Sequence, residues 1–236
     1  MTTLICLPYA GAGAGIYRPW QRLSSPALQA VPVQVPGREE EFGRPFYRNM
    51  TEAAAGTAER IRAVVGGDPF IVFGHSFGAF LAYESVRCLA NTGGPLPLHL
   101  AVSGSTSPCK NRTERLDGTD EEDAAWAEWI NGEPVEAFID PGLRSLLLPI
   151  LRADMNLLAD HRPGDCDPLP LPITALRGDA DQLVPPDAWL DWSRYTSTDF
   201  RAIEFAGGHM YVQHSWTELW KTLEDLAPHD RQGMDK

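Results

Sequence analysis

A serine lies between two glycines at residues 74–78, an arrangement that can expose a nucleophile. The segment Gly74-His-Ser-Phe-Gly78 follows an apolar run fit for a buried strand and precedes a run with helical spacing. A sharp turn from strand to helix lifts a hydroxyl clear of the backbone, and flanking glycines remove the side chains that would block that turn. The pattern G-x-S-x-G in this context favours Ser76 as a catalytic nucleophile. The alternative is an ordinary strand-to-helix turn in which Ser76 only caps the helix.

A general base is needed because a lone serine hydroxyl is a poor nucleophile. His209 lies in Ala206-Gly-Gly-His-Met210, directly after the last apolar run with strand character, where glycines let the loop reach over a sheet. We predict that His209 is the base. The remaining histidines lack this placement, and we expect structural or exposed roles for His75, His99, His161, His214 and His229.

Two aspartates follow the preceding strand-like run, in Arg177-Gly-Asp-Ala-Asp-Gln-Leu-Val184. We predict that Asp181 orients the base, because the apolar residues after it can pin its loop. Asp179 is interpreted as a turn residue that hydrogen-bonds its own backbone. The resulting chain order of serine, acid and histidine is the order found when such a triad is built on an α/β sheet.

Attack on a carbonyl creates an oxyanion, which preorganised backbone N–H groups must stabilise. The amide of Phe77, directly after the nucleophile, is one predicted donor. Ala10 is the other, because the small residues of Pro8-Tyr-Ala-Gly-Ala-Gly-Ala-Gly15 let the backbone approach a ligand. A phosphate-binding loop is the competing interpretation, but the stretch has neither GxGxxG nor a Gly-Lys-Ser/Thr ending.

The elements that must position these residues alternate along the chain. Short apolar runs predict strands at Leu4–Leu7, Val31–Val35, Phe70–Phe73, Leu98–Val102, Ile173–Leu176 and Ala202–Phe205. Helical spacing predicts helices at Thr51–Val65, Phe77–Ala90 and Trp216–Leu226. Because a parallel crossover usually contains a helix, the class is α/β, with a mostly parallel central sheet flanked by helices. At 236 residues the chain is expected to form one domain with an insertion, over residues 1–236. Its last residues, 229–236, are expected to be a frayed tail.

Residues 110–171 interrupt the alternation and predict an inserted helical lid. Apolar residues in helical rhythm occur at Ala124–Ile130 and Leu143–Leu158, with a kink or break expected at Pro149. Apolar side chains that could contact a substrate, or simply pack against the sheet, are Trp126, Trp129, Phe138, Leu146, Leu147, Ile150 and Met155. Trp126, Met155 and Met210 are the candidate substrate-binding residues.

Composition limits the partners. The formal net charge of -12 argues against binding to nucleic acid or to anionic membranes. No metal, redox site or cofactor is expected, since the cysteines lack CxxC spacing and paired histidines; they are Cys6, Cys88, Cys109 and Cys166. The N-terminal residues lack the pattern of a signal peptide and no run of about 18 apolar residues occurs, so a cytoplasmic location is expected.

With these motifs assembled, the chain resembles the type II thioesterases of nonribosomal peptide and polyketide synthases, discrete enzymes of the α/β-hydrolase fold. The resemblance extends from about Leu4 to Leu226. Its motifs are Leu7-Pro-Tyr-Ala-Gly11 with Tyr17 and Trp20, Val35-Pro-Gly-Arg-Glu39, Gly74-His-Ser-Phe-Gly-Ala79, Leu151-Arg-Ala-Asp154, Gly178-Asp-Ala-Asp181 and Gly207-Gly-His209.

The resemblance implies a function that the residues alone do not give. It assigns Ser76, Asp181 and His209 as the catalytic triad and the Ala10 and Phe77 amides as oxyanion donors. The implied substrate is an acyl or aminoacyl thioester on the phosphopantetheine arm of a carrier protein, from which the enzyme removes stalled groups. The enzyme is expected to be a monomer. An oxygen-ester hydrolase, an acyltransferase with the same triad and a non-catalytic binding protein of this fold are the alternatives.

Overall fold

The strands form one parallel sheet in the computed structural model, which describes residues 1–163 and 167–228. The strands are β1 (Thr2–Leu7), β2 (Leu28–Pro32), β3 (Phe70–His75), β4 (His99–Ser103), β5 (Ile173–Gly178) and β6 (Phe200–Phe205). Their spatial order is β2-β1-β3-β4-β5-β6, and each neighbouring pair is parallel. The prediction of an α/β fold with a parallel central sheet is confirmed.

Helices cover both faces of this sheet. They are α1 (Arg18–Leu23), α2 (Met50–Val65), α3 (Phe77–Asn91), α4 (Asp120–Asn131), α5 (Glu136–Ile139), α6 (Pro141–Asp160), α7 (Pro186–Leu190) and α8 (Trp216–Glu224). Successive side chains of a strand point to opposite faces. In β1, Ile5 packs into the core on the side of α2 and α3, whereas Leu4 packs on the side of α1 and α8. Strands buried on both faces explain the nearly continuous apolar runs in the sequence.

The direction of winding reverses at β1, which has β2 on one side and β3 on the other. Ligands of open parallel sheets bind outside the carboxyl ends of the strands at such a reversal. The loop after β1 and the turn after β3 therefore meet there, and these two segments carry Ala10 and Ser76. The loops after β5 and β6 open at the same edge.

The helices α4, α5 and α6 lie between β4 and β5 and are called the inserted helices below. The helix α4 begins with a capping box between Thr119 and Glu122, and α6 begins with the side chain of Asp140 accepting from the Leu143 amide. Of the kink or break expected at Pro149, the break does not occur, because α6 continues through this residue. Pro149 and Ser145, the residue whose carbonyl loses its partner, are both exposed, so solvent can satisfy that carbonyl.

One predicted strand is misplaced. The strand β2 occupies Leu28–Pro32 instead of Val31–Val35, and Val33 and Val35 are buried in the loop that follows. Burial without strand pairing produces the same apolar pattern, whereas Gln29 and Ala30 inside the strand have weak strand propensity. The short helices α1, α5 and α7 were not predicted, since each is too short to display a helical period.

The predicted tail at 229–236, with His229, lies outside the described residues, as does Cys166. Within the described part of the chain, no helix has both the length and the apolar character needed to cross a bilayer.

Candidate active site

The turn after β3 holds Ser76 in a strained conformation. Its φ is +54°, a region that residues with a Cβ rarely adopt. The neighbouring glycines permit the turn: a Cβ at Gly74 would lie 2.0 Å from the carbonyl oxygen of Gly78, and a Cβ at Gly78 would lie 2.5 Å from the carbonyl oxygen of Leu7. The Ser76 amide donates to the carbonyl of Ser103 at 2.8 Å, which ties the turn to β4. Strain of this kind is typical of functional sites.

Three distant side chains meet beside this turn. Nε2 of His209 lies 3.0 Å from Oγ of Ser76, and Nδ1 of His209 lies 2.9 Å from Oδ2 of Asp181. Because an ionised carboxylate only accepts hydrogen bonds, Nδ1 carries the proton and Nε2 is left to accept from the serine hydroxyl. The amide of Leu183 donates to the second oxygen of Asp181 at 2.9 Å, which fixes the carboxylate. The arrangement can transfer the serine proton to the imidazole.

Backbone contacts hold the loop that carries His209. A Cβ at Gly178 would lie 2.3 Å from the carbonyl oxygen of Gly207, so the β5 and β6 loops pack backbone to backbone. The interpretation of Asp179 as a residue that hydrogen-bonds its own turn is wrong. Its Oδ1 accepts from the Gly207 amide at 2.9 Å. An acceptor was needed there because the loop places an amide against the end of β5, so Asp179 supports the loop and Asp181 contacts the imidazole.

A buried polar chain lies behind the imidazole. Nδ1 of His75 is 2.8 Å from Oγ of Ser103, which is 2.6 Å from the hydroxyl of Tyr211. The rings of His75 and His209 are 5.1 Å apart. Burial, and secondly the charge of His209, hold the pKa of His75 well below its ordinary value. A neutral His75 places no second positive charge beside His209 when that imidazole is protonated.

In the loop after β1, the two amides that follow Ala10 are occupied, whereas the Ala10 amide is not. The Gly11 amide donates to Oδ2 of Asp154 at 2.9 Å, and the Ala12 amide donates to the carbonyl of Tyr9 at 3.1 Å. Among the described residues, the amides of Ala10 and Phe77 donate to no protein atom. Both of the predicted oxyanion donors are therefore available to a ligand.

A cavity of about 1110 Å³ opens at Ser76 and His209 and extends under the inserted helices. Trp126, Met155 and Met210, the three predicted substrate-contact residues, all line it. Further apolar side chains of its lining are Leu116, Phe138, Leu147, Leu151 and Leu158. The volume and the apolar lining suit a flexible organic chain that extends from the serine.

Of the other apolar residues that could contact a substrate or pack against the sheet, three do not line this cavity. Trp129 and Leu146 are 57% and 49% exposed, and Ile150 is buried outside the lining. Trp126 and Trp129 lie three residues apart on α4, only about 60° from each other around the helix axis. The helical period alone therefore could not say which of the two faces the cavity. Phe138 and Leu147, from the same set, do line the cavity.

Cationic side chains lie on the wall formed by the loop after β4. Lys110, Arg112 and Arg115 line the cavity. Arg115 forms an ion pair with Asp160, whereas Arg112 donates to the backbone carbonyls of Cys109 and Asn111. Lys110 and Arg112 are exposed and form no ion pair within the described residues.

The other histidines described by the structure have structural contacts. Nε2 of His99 lies 2.7 Å from Oγ1 of Thr174, and Nε2 of His161 lies 3.0 Å from Oε1 of Glu84. His214 is exposed. No group of three His, Cys, Asp or Glu side chains suited to a metal ion occurs in the described parts of the chain.

Comparison with known proteins gives one consistent family. The model of the thioesterase domain family matches residues 2–226. Gramicidin S biosynthesis protein GrsT of Aneurinibacillus migulanus is 30% identical over 219 residues, which cover 92% of this chain and 85% of that protein. Thioesterase PikA5 of Streptomyces venezuelae is 31% identical, with 94% and 79% covered.

A solved structure agrees with these relatives. The RedJ thioesterase from the prodiginine biosynthetic pathway of Streptomyces coelicolor superposes with a TM-score of 0.84 at 31% identity, covering 95% of this chain and 90% of that one. The family match covers nearly all of the described residues. The chain therefore belongs to the thioesterase family and has its α/β-hydrolase fold.

Proposed function

We propose that this protein is a type II thioesterase that hydrolyses acyl or aminoacyl thioesters through an acyl-serine intermediate. The observation that carries the proposal is the hydrogen-bonded series from Asp181 through His209 to Ser76, at the mouth of an apolar cavity. Family membership supports a thioester as the substrate class.

In the first half of the reaction, His209 takes the proton of Ser76 while Oγ attacks the thioester carbonyl. Asp181 stabilises the imidazolium that forms. The oxyanion accepts hydrogen bonds from the Ala10 and Phe77 amides, and loss of one such donor typically costs about 3 kcal/mol of barrier. The thiol then leaves with the proton from His209. Thiols have a pKa near 8.5, so this departure asks little of the acid.

In the second half, a water molecule enters where the thiol was. His209 takes its proton, the hydroxide attacks the acyl-serine carbonyl, and the same two amides hold the second oxyanion. Collapse returns the proton to Oγ of Ser76 and releases a carboxylic acid. Each half uses the same groups in the same places.

The proposed substrate is carried on the phosphopantetheine arm of an acyl or peptidyl carrier protein. Two relatives, a gramicidin S biosynthesis protein and the PikA5 thioesterase, support a role beside an assembly-line synthase. The long cavity supports an acyl chain bound beyond the serine. Lys110 and Arg112, which lack acidic partners among the described residues, suit the phosphate of the arm. Removal of stalled or wrongly primed groups is the proposed role in the pathway.

We further propose that the chain is a single domain in which residues 110–171 form a lid over the bound chain. A monomer in the cytoplasm, without metal or cofactor, remains the expected form of the enzyme. Light scattering of the purified protein measures whether it is a monomer.

The test is hydrolysis of carrier proteins loaded with different acyl groups, followed by mass spectrometry of the carrier. We expect wild-type protein to return the carrier to its free-thiol form and Ser76→Ala to leave it loaded. Matched oxygen esters of the same acyl groups should react more slowly. Faster turnover of the esters would indicate an ester hydrolase, and transfer of the acyl group to an added alcohol or amine would indicate an acyltransferase.

A further inference from the structure

A buried ion pair joins α6 of the inserted helices to the loop after β2, next to the loop after β1. Nη1 of Arg38 lies 2.5 Å from Oδ2 of Asp154, and Nη2 lies 2.7 Å from Oδ1. Their side chains are only 3% and 1% exposed. The two residues are 116 positions apart and neither touches the catalytic side chains, so the proposed reaction does not use them directly.

The same ion pair grips the loop that carries Ala10 at two points. Oδ2 of Asp154 accepts from the Gly11 amide at 2.9 Å, and Nη1 of Arg38 donates to the Ala12 carbonyl at 3.0 Å. Both hydrogen bonds involve a charged partner, which makes them stronger than neutral ones. The peptide group before Gly11 and the peptide group after Ala12 are therefore both held by a single pair of side chains.

Close packing adds to this grip. Gly11 has a φ of +78°, and a Cβ there would lie 3.3 Å from Cβ and 3.5 Å from Cα of Leu151. Leu151 precedes Asp154 by three residues, so both project from the same side of α6. The helix thus presses on Gly11 with an apolar side chain and holds its amide with a carboxylate.

A buried ion pair is a weak source of stability, because desolvation of both charges can exceed their attraction. Burial raises the pKa of Asp154, while Arg38 and the Gly11 amide oppose that rise. An apolar pair of similar volume would fill the same space at no loss of packing. The retention of charges at this place is better explained by the two backbone groups that they orient.

We propose that Arg38 and Asp154 are positioning residues that hold the Ala10 amide in place to receive the oxyanion. The Gly11 amide is already hydrogen-bonded to Asp154, so the Ala10 amide is the one available to a ligand in the cavity. The proposal rests on the proposed function, because it requires an oxyanion at Ser76. It also makes α6 part of the catalytic frame, in contrast to a helix that only covers the acyl chain.

The test replaces the ion pair with apolar residues in the double variant Arg38→Met/Asp154→Leu. This change removes both side-chain hydrogen bonds to the loop but leaves no unpaired charge. The matched control is Arg60→Met/Glu41→Leu, which removes another two-pronged arginine–carboxylate pair that has no contact with the loop. Measurements are kcat and KM for a small acyl thioester, inhibition by a trifluoromethyl ketone analogue, which forms an oxyanion on serine, and Tm.

We expect kcat of the double variant to fall about 100-fold, with KM within about threefold and ketone inhibition weakened in parallel with kcat/KM. The control should retain the wild-type kcat, KM and ketone inhibition. A double variant that folds and loses no more activity than the control overturns the proposal. So does a rise in KM with kcat and ketone inhibition unchanged, because that pattern indicates a substrate-binding role.

If the double variant does not fold, Arg38→Lys tests the proposal instead. It keeps the charge but loses the two-pronged geometry, and we expect kcat to fall about tenfold with KM unchanged; an unchanged kcat overturns the proposal. Failure of the proposed function is separate from these results. In that case wild-type protein itself would not hydrolyse thioesters, whatever the variants do.

Discussion

The carboxyl edge of the sheet and the inserted helices form opposite walls of one cavity, but they are built in different ways. At the sheet edge, backbone packs against backbone, as where Gly74 meets Gly78 and Gly178 meets Gly207. In the inserted helices, apolar side chains such as Trp126 and Leu147 make the wall. Other large apolar side chains of the same helices, such as Trp129 and Ile139, lie outside the cavity lining and are exposed. The difference indicates that the sheet edge tolerates almost no change, whereas the helical wall can change with the substrate.

Ser76→Ala gives the largest expected effect on the sheet side of this comparison. We expect kcat for thioester hydrolysis to fall at least about 10⁴-fold, because the nucleophile is lost. Tm should change by only a few degrees, since the serine is half-buried and at a turn. Hydrolysis of a small thioester and calorimetry measure the two effects. Activity within tenfold of wild type would mean that another group attacks the carbonyl.

Gly74→Ala tests whether backbone packing makes this wall intolerant. The new Cβ would lie 2.0 Å from the Gly78 carbonyl oxygen, and a backbone atom cannot swing away. We expect the free energy of unfolding to fall by about 3 kcal/mol. Gly43→Ala is the control, because a Cβ there has nothing within 4 Å. Equal stability of the two variants in urea would show that the edge adapts more than its contacts imply.

Trp126→Ala tests the helical wall. Because Trp126 lines the cavity, its loss should lower kcat/KM for long acyl chains about tenfold and leave acetyl thioesters nearly unchanged. Trp129→Ala, on the same helix but exposed, is the matched control and should affect neither substrate. If both chain lengths respond equally to Trp126→Ala, the helical wall contributes to the reaction itself and the contrast between the walls fails.

His99 provides the smallest expected effect, at the end of the sheet away from both walls. Burial, and secondly Arg201, lower the pKa of His99 from its ordinary 6.5 to about 4. Between these values the unfolded chain binds more protons than the folded one, so stability falls as pH falls. From about pH 6.5 to 5.5, this histidine should account for about 1 kcal/mol of lost stability.

His99→Gln should reduce that loss without changing kcat, as measured by urea unfolding at each pH. The slope should not vanish, because burial also lowers the pKa of His75. His214→Gln is the control, since His214 is exposed. A pH dependence identical in wild type and His99→Gln would contradict the assignment.

Sequence patterns found the sheet edge better than the helical wall, for a physical reason. The turn of Ser76 and the loop of His209 need particular residues at fixed local spacings, and local spacing is visible in one sequence. The inward stripe of α4 depends on what the helix packs against, so Trp126 and Trp129 looked equivalent. The strand β2 was misplaced because an apolar run reports burial and not hydrogen-bonded pairing.

The contact between Arg38 and Asp154 was beyond sequence reasoning for a further reason. Both lie in motifs that the family resemblance drew attention to, Val35-Pro-Gly-Arg-Glu39 and Leu151-Arg-Ala-Asp154. Nothing in either motif indicates that they meet, because no rule of spacing connects residues 116 positions apart. The available signal was only that one unexplained motif contains an arginine and the other an aspartate.

The ion pair that joins α6 to the loop after β2, and that hydrogen-bonds to the loop after β1, limits how chimaeras can be made in this family. Transplanting residues 110–171 from a relative with a different acyl preference moves Asp154 but leaves Arg38 with the recipient. A donor segment without a carboxylate at position 154 would leave the buried guanidinium of Arg38 without a counter-charge. It would also leave the Gly11 amide without its hydrogen-bond acceptor. Successful grafts should therefore be those in which both halves of the pair match, however different the rest of the helical wall becomes.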